Sequence, residues 1–467
     1  MAGLTRRFLG PTASRRRRKK RVILTLCALF VVVLAVTTAA LVLPSVSDGA
    51  ATAIEPPPET VLPDPSITPF PDSAPMPSPS GLAAALAQVV NDPALGTFTG
   101  TVADAQTGRV IWSENPDAPM TPASTTKVLT AAAAMLALPA DHRVTTRVVR
   151  GNGEGNIVLI AGGDPTLTAL PVGTDGFYPG AARIDDLVEQ IRRSGTVVRS
   201  ISVDTSIYSG DTMAQGWFPA DIAAGSITPI EPIMLDGGRS DPLVDESPRS
   251  TTPALDAGRA LAAGLGVDPA AVTPGTATDG ADQLASVESA PLRNRLQQMI
   301  YRSDNVLAEA IGREISLEMN TAASFSGAVA SIGQTLYSAG FDLAGLTLYD
   351  ASGLSVDGRI PARLLDQVLT SAAGTEQPEL RPMLDYLPVA GATGTLTDRY
   401  ASGNRTGAGW VRAKTGTLSD ASALAGYVVD VDGRILTFAL MSNGRPPGVS
   451  RPALDAVAST LRLCGCQ

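Results

Sequence analysis

Histidine is nearly missing from this chain: His142 is the one residue of its kind in 467. A Ser-His-Asp hydrolase or a Cys-His enzyme would have to be built on it. Its setting, the polar turn "PADHRVTT", is that of a surface side chain. A three-histidine zinc site is excluded by count. Lysine is almost as scarce: Lys19, Lys20, Lys127 and Lys414 are the four present, and arginine supplies the rest of the 36 basic residues. Aromatic residues make up only 4%, so the core that 44% apolar residues can fill must be built from Ala, Val, Leu and Ile. Three cysteines are too few for a disulfide framework. Cys27 lies in an apolar run, and Cys464 and Cys466 form "CGC". A bond between that pair would close a tight ring and is expected to be strained; a thiol pair, an oxidised staple and a contact with another chain all stay open. No P-loop and no strand–GxGxxG–helix unit is present. Chemistry in this chain must use a general base other than histidine.

Charge is unevenly spread. Nine of the 36 basic residues fall in positions 1–21, where there is no acid, which leaves 27 against 45 acidic residues for the remainder. A body of that sign repels polyanions, so nucleic acid is not expected as a partner. Residues 22–43, "VILTLCALFVVVLAVTTAALVL", carry no charge. As a helix rising about 1.5 Å per residue this run matches a bilayer core of about 30 Å, and it is long for a secretory h-region. The basic block before it is expected to stay cytoplasmic. The segment reads as an uncleaved signal anchor with the bulk of the chain outside; a cleaved signal peptide is the alternative. The proline density of "EPPPETVLPDPSITPFPDSAPMPSPS", within 44–81, reads as a spacer.

Beyond the spacer, "LAAALAQVV" (82–90) reads as a helix, 96–115 as two strands around a turn, and 124–138 as an apolar helix buried all round. Residues 146–285 change texture, with short strand-like runs between Gly-, Pro- and Asp-rich loops, and read as an inserted module, mainly β or else α/β. "PLRNRLQQMI" (291–300) carries a helical stripe, a second helix is expected over 306–316, and 410–444 reads as three strands before a closing helix. The expected fold class is α+β. An antiparallel sheet with helices, formed by 82–145 and 286–467, is interrupted by the insert and preceded by one transmembrane helix.

The two lysines outside the basic head sit in suggestive places. In "PASTTKVLT", Ser124 and Lys127 are three residues apart, on one face of a helix and about 5–6 Å from each other. A serine at a helix N-terminus has backbone N–H groups and the positive end of the dipole nearby. A neutral lysine amine there can take its proton, whereas arginine stays charged. In "AKTGT", Lys414 with Thr415 and Thr417 lies on an expected strand that can bind an anionic group such as a substrate carboxylate. The Thr417 N–H could form an oxyanion hole with that of Ser124, and a cation at Lys414 would help keep Lys127 neutral. Between them, "SDN" (303–305) falls in a turn between two helices. Capping accounts for it structurally; functionally, Ser303 would relay a proton to a leaving amine and Asn305 would hydrogen-bond a substrate amide.

S-x-x-K, S-D-N and K-T-G in this order are the motif set of class A β-lactamases and penicillin-binding proteins. The chain resembles the D-alanyl-D-alanine carboxypeptidases of the DacB type, low-molecular-mass penicillin-binding proteins of peptidase family S13. The resemblance covers 82–460 and includes "IAGGDPTL" (160–167), "VDTSIYSG", "GWFPAD", "DASGLS" (350–355) and "LPVAGATGTL" (387–396). It implies a penicillin-binding transpeptidase/β-lactamase-like body and a serine-type carboxypeptidase acting on peptidoglycan stem peptides, with endopeptidase activity also known in the family. Ser124 would be the nucleophile, Lys127 its base, Ser303, Asn305 and Lys414 further catalytic groups, and Thr415, Gly416 and Thr417 substrate-binding positions. β-Lactams would be covalent inhibitors, and neither a metal nor another cofactor is implied. The insert is short for the family, and "DASGLSVDGRI" lacks the polar residues expected after its Ser-Gly-Leu-Ser run. A β-lactamase would share the three motifs, but no Glu-x-x-Leu-Asn deacylation motif stands out. A catalytically silent wall-binding protein would not need the full set of reactive side chains.

Overall fold

The sheet that carries the site is assembled from both ends of the described chain. The computed structural model describes residues 73–466. The basic head, the apolar run 22–43 and the proline-rich stretch up to 72 lie outside the described residues. Among those described, no helix is long and apolar enough to cross a membrane. Helix α1 (Pro79–Leu86) leads to the hairpin β1 (Thr97–Asp104) and β2 (Val110–Glu114), then the short β3 (Pro119–Met120) and helix α2 (Thr126–Ala137).

Residues 145–288 then form a second sheet. Its chain order is β4 (Thr145–Arg150), β5 (Asn156–Ile160), β6 (Asp164–Leu167), α3 (Ile184–Arg193), β7 (Ser200–Asp204), α4 (Ala220–Ala223), β8 (Ile233–Leu235), α5 (Pro253–Leu265), β9 (Thr273–Pro274) and β10 (Gln283–Glu288). Five strands pair in the order β10-β4-β5-β7-β9, and β6 pairs with β8. Of the two readings of the insert, mainly β or α/β, the structure has the second. Strands β5, β7 and β9 run parallel, and a parallel pair needs a crossover, which a helix usually supplies. Helices α3 and α5 are those crossovers. They pack Leu187, Ile191, Ala257 and Leu261 on Val148, Leu159, Ile201 and Val203 of the sheet.

The chain returns through α6 (Leu292–Arg302), α7 (Asn305–Glu318), α8 (Phe325–Ser338), β11 (Ile360–Pro361), α9 (Ala362–Ala373) and α10 (Pro382–Tyr386). A meander of β12 (Val411–Leu418), β13 (Ala421–Val429) and β14 (Ile435–Asn443) follows, and α11 (Pro447–Leu463) closes the chain. Strand β1 pairs with β14, giving an antiparallel sheet in the order β12-β13-β14-β1-β2. Side-chain alternation makes this sheet the middle of three layers. Leu436, Phe438 and Leu440 face α1 and α11, while Ala439 and Met441 face α2 and the helices beside it. The inner face is lined with alanines, Ala423, Ala425 and Ala439, which share one core cluster with Ala131 to Ala134 of α2. Helix α9 lies directly against this face of the sheet, and small side chains throughout the cluster are how a core with few aromatic residues stays filled.

Two ties fix the ends. Cys464 and Cys466 are joined by a disulfide with Cα atoms 4.8 Å apart, and the Cys466 carbonyl accepts from the Ser78 N–H at 2.7 Å. Inside the main sheet, buried Asp104 at the end of β1 takes two hydrogen bonds from Arg434, Nε to Oδ1 at 2.6 Å and Nη2 to Oδ2 at 2.7 Å. Asp104→Ala takes the carboxylate away from a buried guanidinium, that of Arg434. It should lower unfolding stability by about 3–5 kcal/mol, read as a lower urea midpoint at unchanged slope.

Candidate active site

Three elements converge where α2 begins. The first is the nucleophile turn. Ala123 to Thr125 form one turn of 3-10 helix, with Ala123 at φ 47°, and run straight into α2. The turn is held from outside: Asn443 at the end of β14 accepts from the Thr121 N–H at 2.9 Å and donates to the Thr121 carbonyl at 3.2 Å. The second element is the α6–α7 junction. Ser303 ends α6 in the left-handed region at φ 62°, and Asp304 caps α7 by accepting from the Leu307 N–H at 2.9 Å. The capping role foreseen for this motif is therefore real, and it aims Ser303 and Asn305 at the start of α2. The third is β12, the edge strand. Gly416 passes so close to the turn that a Cβ there would lie 2.5 Å from the Pro122 carbonyl oxygen; any side chain would push the strand away.

Ser124, Lys127, Ser303, Asn305, Lys414, Thr415, Gly416 and Thr417 thus meet in one place. The two serines, Asn305, Thr415 and Thr417 line a cleft of about 460 Å³. Both lysines lie beneath it, fully buried. Lys127 Nζ is 3.0 Å from Ser124 Oγ, 2.6 Å from Asn305 Oδ1 and 2.7 Å from the Ser352 carbonyl. The latter two oxygens can only accept. The Asn305 orientation is settled at its other end, where Nδ2 donates to the Ser226 carbonyl at 2.9 Å. A neutral amine has two N–H groups and one lone pair. With both N–H groups directed at Asn305 and Ser352, the lone pair faces the Ser124 hydroxyl. Burial pushes the Lys127 pKa down to about 8, opposed by Asp350, Asp304 and Glu309. Lys414 Nζ donates to Ser303 Oγ at 2.7 Å and to the Thr415 carbonyl at 2.9 Å.

Two sequence expectations change here. Lys414 does not stand as an ordinary amine beside Lys127: burial pushes its pKa well down from the usual value, and the Lys127 charge pushes it further. Asn305 has both ends of its carboxamide engaged, so in this state it orients Lys127 rather than offering a free end to a substrate amide. The oxyanion geometry rests on strand parity. The Ala413 N–H points away from β13, to the Pro388 carbonyl at 3.0 Å. The β12–β13 register has no bulge, so Thr415 and Thr417 present their N–H groups on the same open edge.

Further residues support this group, and of these Glu309, Tyr178, Ser226 and Arg239 lie outside every motif singled out in the sequence. Glu309, buried on α7, accepts from the Ala351 and Ser352 N–H groups at 3.0 and 2.9 Å and so aims the Ser352 carbonyl at Lys127. Burial and then Asp350 push its pKa up to about 7. Asp350 folds the 350–355 loop by accepting from Gly353 and Ser355 N–H, and from Trp217 Nε1 at 2.7 Å. Asp304 accepts from Tyr178 Oη at 2.6 Å and pairs with Arg239 at 3.3 Å. Burial raises its pKa, but Arg239 and Arg249 outweigh that and the carboxyl stays below its ordinary range. Tyr178, Trp217, Ser226 and Arg239 all come from the stretch between the first two motifs. His142 lies 3.3 Å from Glu314 and does not line the cleft.

Residues 82–248 and 240–462 match the sequence profile of the D-Ala-D-Ala carboxypeptidase 3 (S13) family. The chain belongs to that family. Among S13 relatives, a carboxypeptidase of Mycobacterium tuberculosis is 52% identical over 415 residues, covering 88% of this chain and 90% of the relative. The carboxypeptidase DacB of Mycolicibacterium smegmatis is 51% identical over 421 residues, covering 89% and 91%. Penicillin-binding protein 4 (dacB) from Haemophilus influenzae superposes with a TM-score of 0.65 at 21% identity, over 83% of this chain and 98% of that one. Its fold is therefore the fold here, a mixed α/β penicillin-binding/β-lactamase-like architecture. A second structure of that protein holds a β-lactam.

Because the base must be neutral to act, its available fraction rises tenfold per pH unit below its pKa. The rate of Ser124 acylation by a fluorescent penicillin should climb with pH and level off near pH 8, as Lys127 loses its proton. Lys127→Arg should cut the same rate by about a thousandfold or more, with an unchanged circular dichroism spectrum; normal labelling of that variant would remove Lys127 as the base.

Proposed function

We propose that this chain is a serine-type D-Ala-D-Ala carboxypeptidase that works through a Ser124 acyl-enzyme. The observation that carries the assignment of roles is the lone-pair geometry of Lys127. The amine takes the Ser124 proton as Oγ attacks the carbonyl of the terminal D-Ala–D-Ala bond. The oxyanion is received by the N–H groups of Ser124 and Thr417. The C–N bond breaks as Ser303 delivers its proton to the leaving D-alanine amine and takes up the proton that Lys127 had gained, which leaves Lys127 neutral again, while Lys414 holds the Ser303 oxygen. Water then attacks the ester, with Lys127 again accepting a proton, and restores the Ser124 hydroxyl. The substrate is the stem peptide of peptidoglycan, and β-lactams acylate the same serine. Residues 82–145 and 286–467 act as the catalytic part around the insert. Anchoring through residues 22–43, with the cleft on the outer side, follows from the charge-free run and the basic head before it.

Mass spectrometry of pentapeptide-containing muropeptides incubated with the protein should show loss of one D-alanine per stem, abolished in Ser124→Ala. Rapid steady-state hydrolysis of nitrocefin would instead mark a β-lactamase, and absence of any product from wall fragments would leave a penicillin-binding scaffold.

A further inference from the structure

The main sheet has a second cleft, towards its other edge. The catalytic cleft lies along β12. The second, of about 490 Å³, lies where the β1–β2 turn meets α9 and the loop that follows α9. The two share no lining residue. Small and apolar residues, among them Ala105, Gly108, Ala339, Gly340 and Phe341, make up much of its wall. Three side-chain oxygens on that wall stand apart. Thr101 Oγ1, Asp366 Oδ1 and Gln377 Oε1 are buried, and none has a hydrogen-bond partner among the described residues. Leaving a buried acceptor unpaired is costly, so a group of them in one cavity calls for an explanation.

Ordinary local rules bring them together. Alternation along β1 puts Thr101 and Ala103 on the inner face of the sheet, and Ala103 lies opposite Thr437 of β14. Asp366 and Thr370 are one turn apart on α9, and the Thr370 and Thr437 hydroxyls meet at 2.9 Å. That contact seats the Asp366 face of α9 against β1 and β14. Asp366 and Thr101 are each only 2% exposed. Gln377 is oriented by its other end, where Nε2 donates to the Ala339 carbonyl at 2.9 Å; Oε1 is the atom left for the cleft.

The chemistry of the group is one-sided. A carboxylate and an amide oxygen only accept, and the Thr101 hydroxyl can accept as well. The one basic residue on the wall, Arg363, is engaged with Asp117 at 2.7 Å and Asp342 at 3.0 Å. Burial pushes the Asp366 pKa up to about 7, with the Thr437 hydroxyl acting against it. The missing complement is therefore a cation rich in donors. A primary ammonium brings three N–H donors, a positive charge and no acceptor, on a stem slim enough for walls of alanine and glycine. A guanidinium spreads its donors in one plane and suits a single carboxylate face on, not three acceptors from separate elements.

We propose that this second cleft binds a primary ammonium carried on an alkyl stem, with Asp366 as its counterion and Gln377 and Thr101 as neutral acceptors. Two sources share that chemistry: a free diamine, and the side-chain amine of a lysyl peptide.

The test is a titration of the full chain in detergent, followed by saturation-transfer NMR of the ligand. The probes are 1,5-diaminopentane and the tripeptide L-Ala-γ-D-Glu-L-Lys, each beside the form with its side-chain or terminal amines acetylated. At least one amine should saturate wild type below about 10 mM, and acetylation should abolish its binding. Asp366→Asn, close to isosteric, should raise the Kd about tenfold or more, as expected for loss of one charge-assisted hydrogen bond. Gln377→Leu should raise it about threefold or more, and it decides alone if Asp366→Asn does not fold. Binding of the peptide alone assigns the site to a peptide amine, and binding of the diamine alone to a free amine; either result supports the proposal. It is overturned if neither amine binds, if the acetylated forms bind as well, or if the folded variants bind as wild type does. Displacement of the amine by an equal concentration of potassium chloride would overturn it in favour of a metal-cation site.

Discussion

The hydrogen bonds from Lys127 Nζ to Asn305 Oδ1 and to the Ser352 carbonyl hold an amine out of water beside a serine hydroxyl. Burying a lysine is costly, and the cost falls mainly on its charged form. The protein uses that cost: the same desolvation that opposes burial makes the amine a base near neutral pH. The arrangement works only if the acceptors are rigid, because an amine free to rotate would not keep its lone pair on Ser124. Rigidity is supplied one layer out. Glu309 holds the Ser352 N–H, Asp350 folds the loop around it, and Asp304 caps the helix that starts with Asn305.

That outer layer explains what the stretch between the first two motifs does for the site. Tyr178 and Arg239 grip Asp304, the Ser226 carbonyl sets the Asn305 amide, and Trp217 reaches Asp350. The 145–288 sheet stands on its own core, yet loops that leave it complete the candidate site. The site is therefore a joint between the two parts of the chain rather than a property of the body alone.

Close approach is the other requirement. Gly416 lets the edge strand pass the nucleophile turn, and Gly353, at φ 77°, lies where a Cβ would be 2.0 Å from the Ala123 carbonyl oxygen. The turn is thus pinched between two backbones that carry no side chain at the contact. Alanines on the inner face of the sheet and on α2 extend the same economy of volume into the core.

Strands β12 to β14, helices α2, α6 and α7 and the closing helix were all legible in the sequence, because side-chain periodicity is local and survives without tertiary context. The pairing of a serine with a lysine was legible for a similar reason. Ser124 and Lys127 are three residues apart on one helix, and a lysine kept in an arginine-rich chain has a chemical reason to be there. The insert stayed open between mainly β and α/β in the sequence because its parallel pairing depends on crossovers that short strand-like runs do not reveal. The roles of Lys414 and Asn305 changed for a deeper reason. A residue's protonation and its free hydrogen-bonding capacity are set by what surrounds it, and those neighbours are far away in the chain: Lys127 and Asn305 are 178 positions apart, and Lys127 and Ser352 are 225. By itself the sequence determined which reactive groups exist and which of them share a helix or a strand. Only the tertiary structure decided which lysine faces the serine with its lone pair, because burial and partner choice are properties of the packed chain.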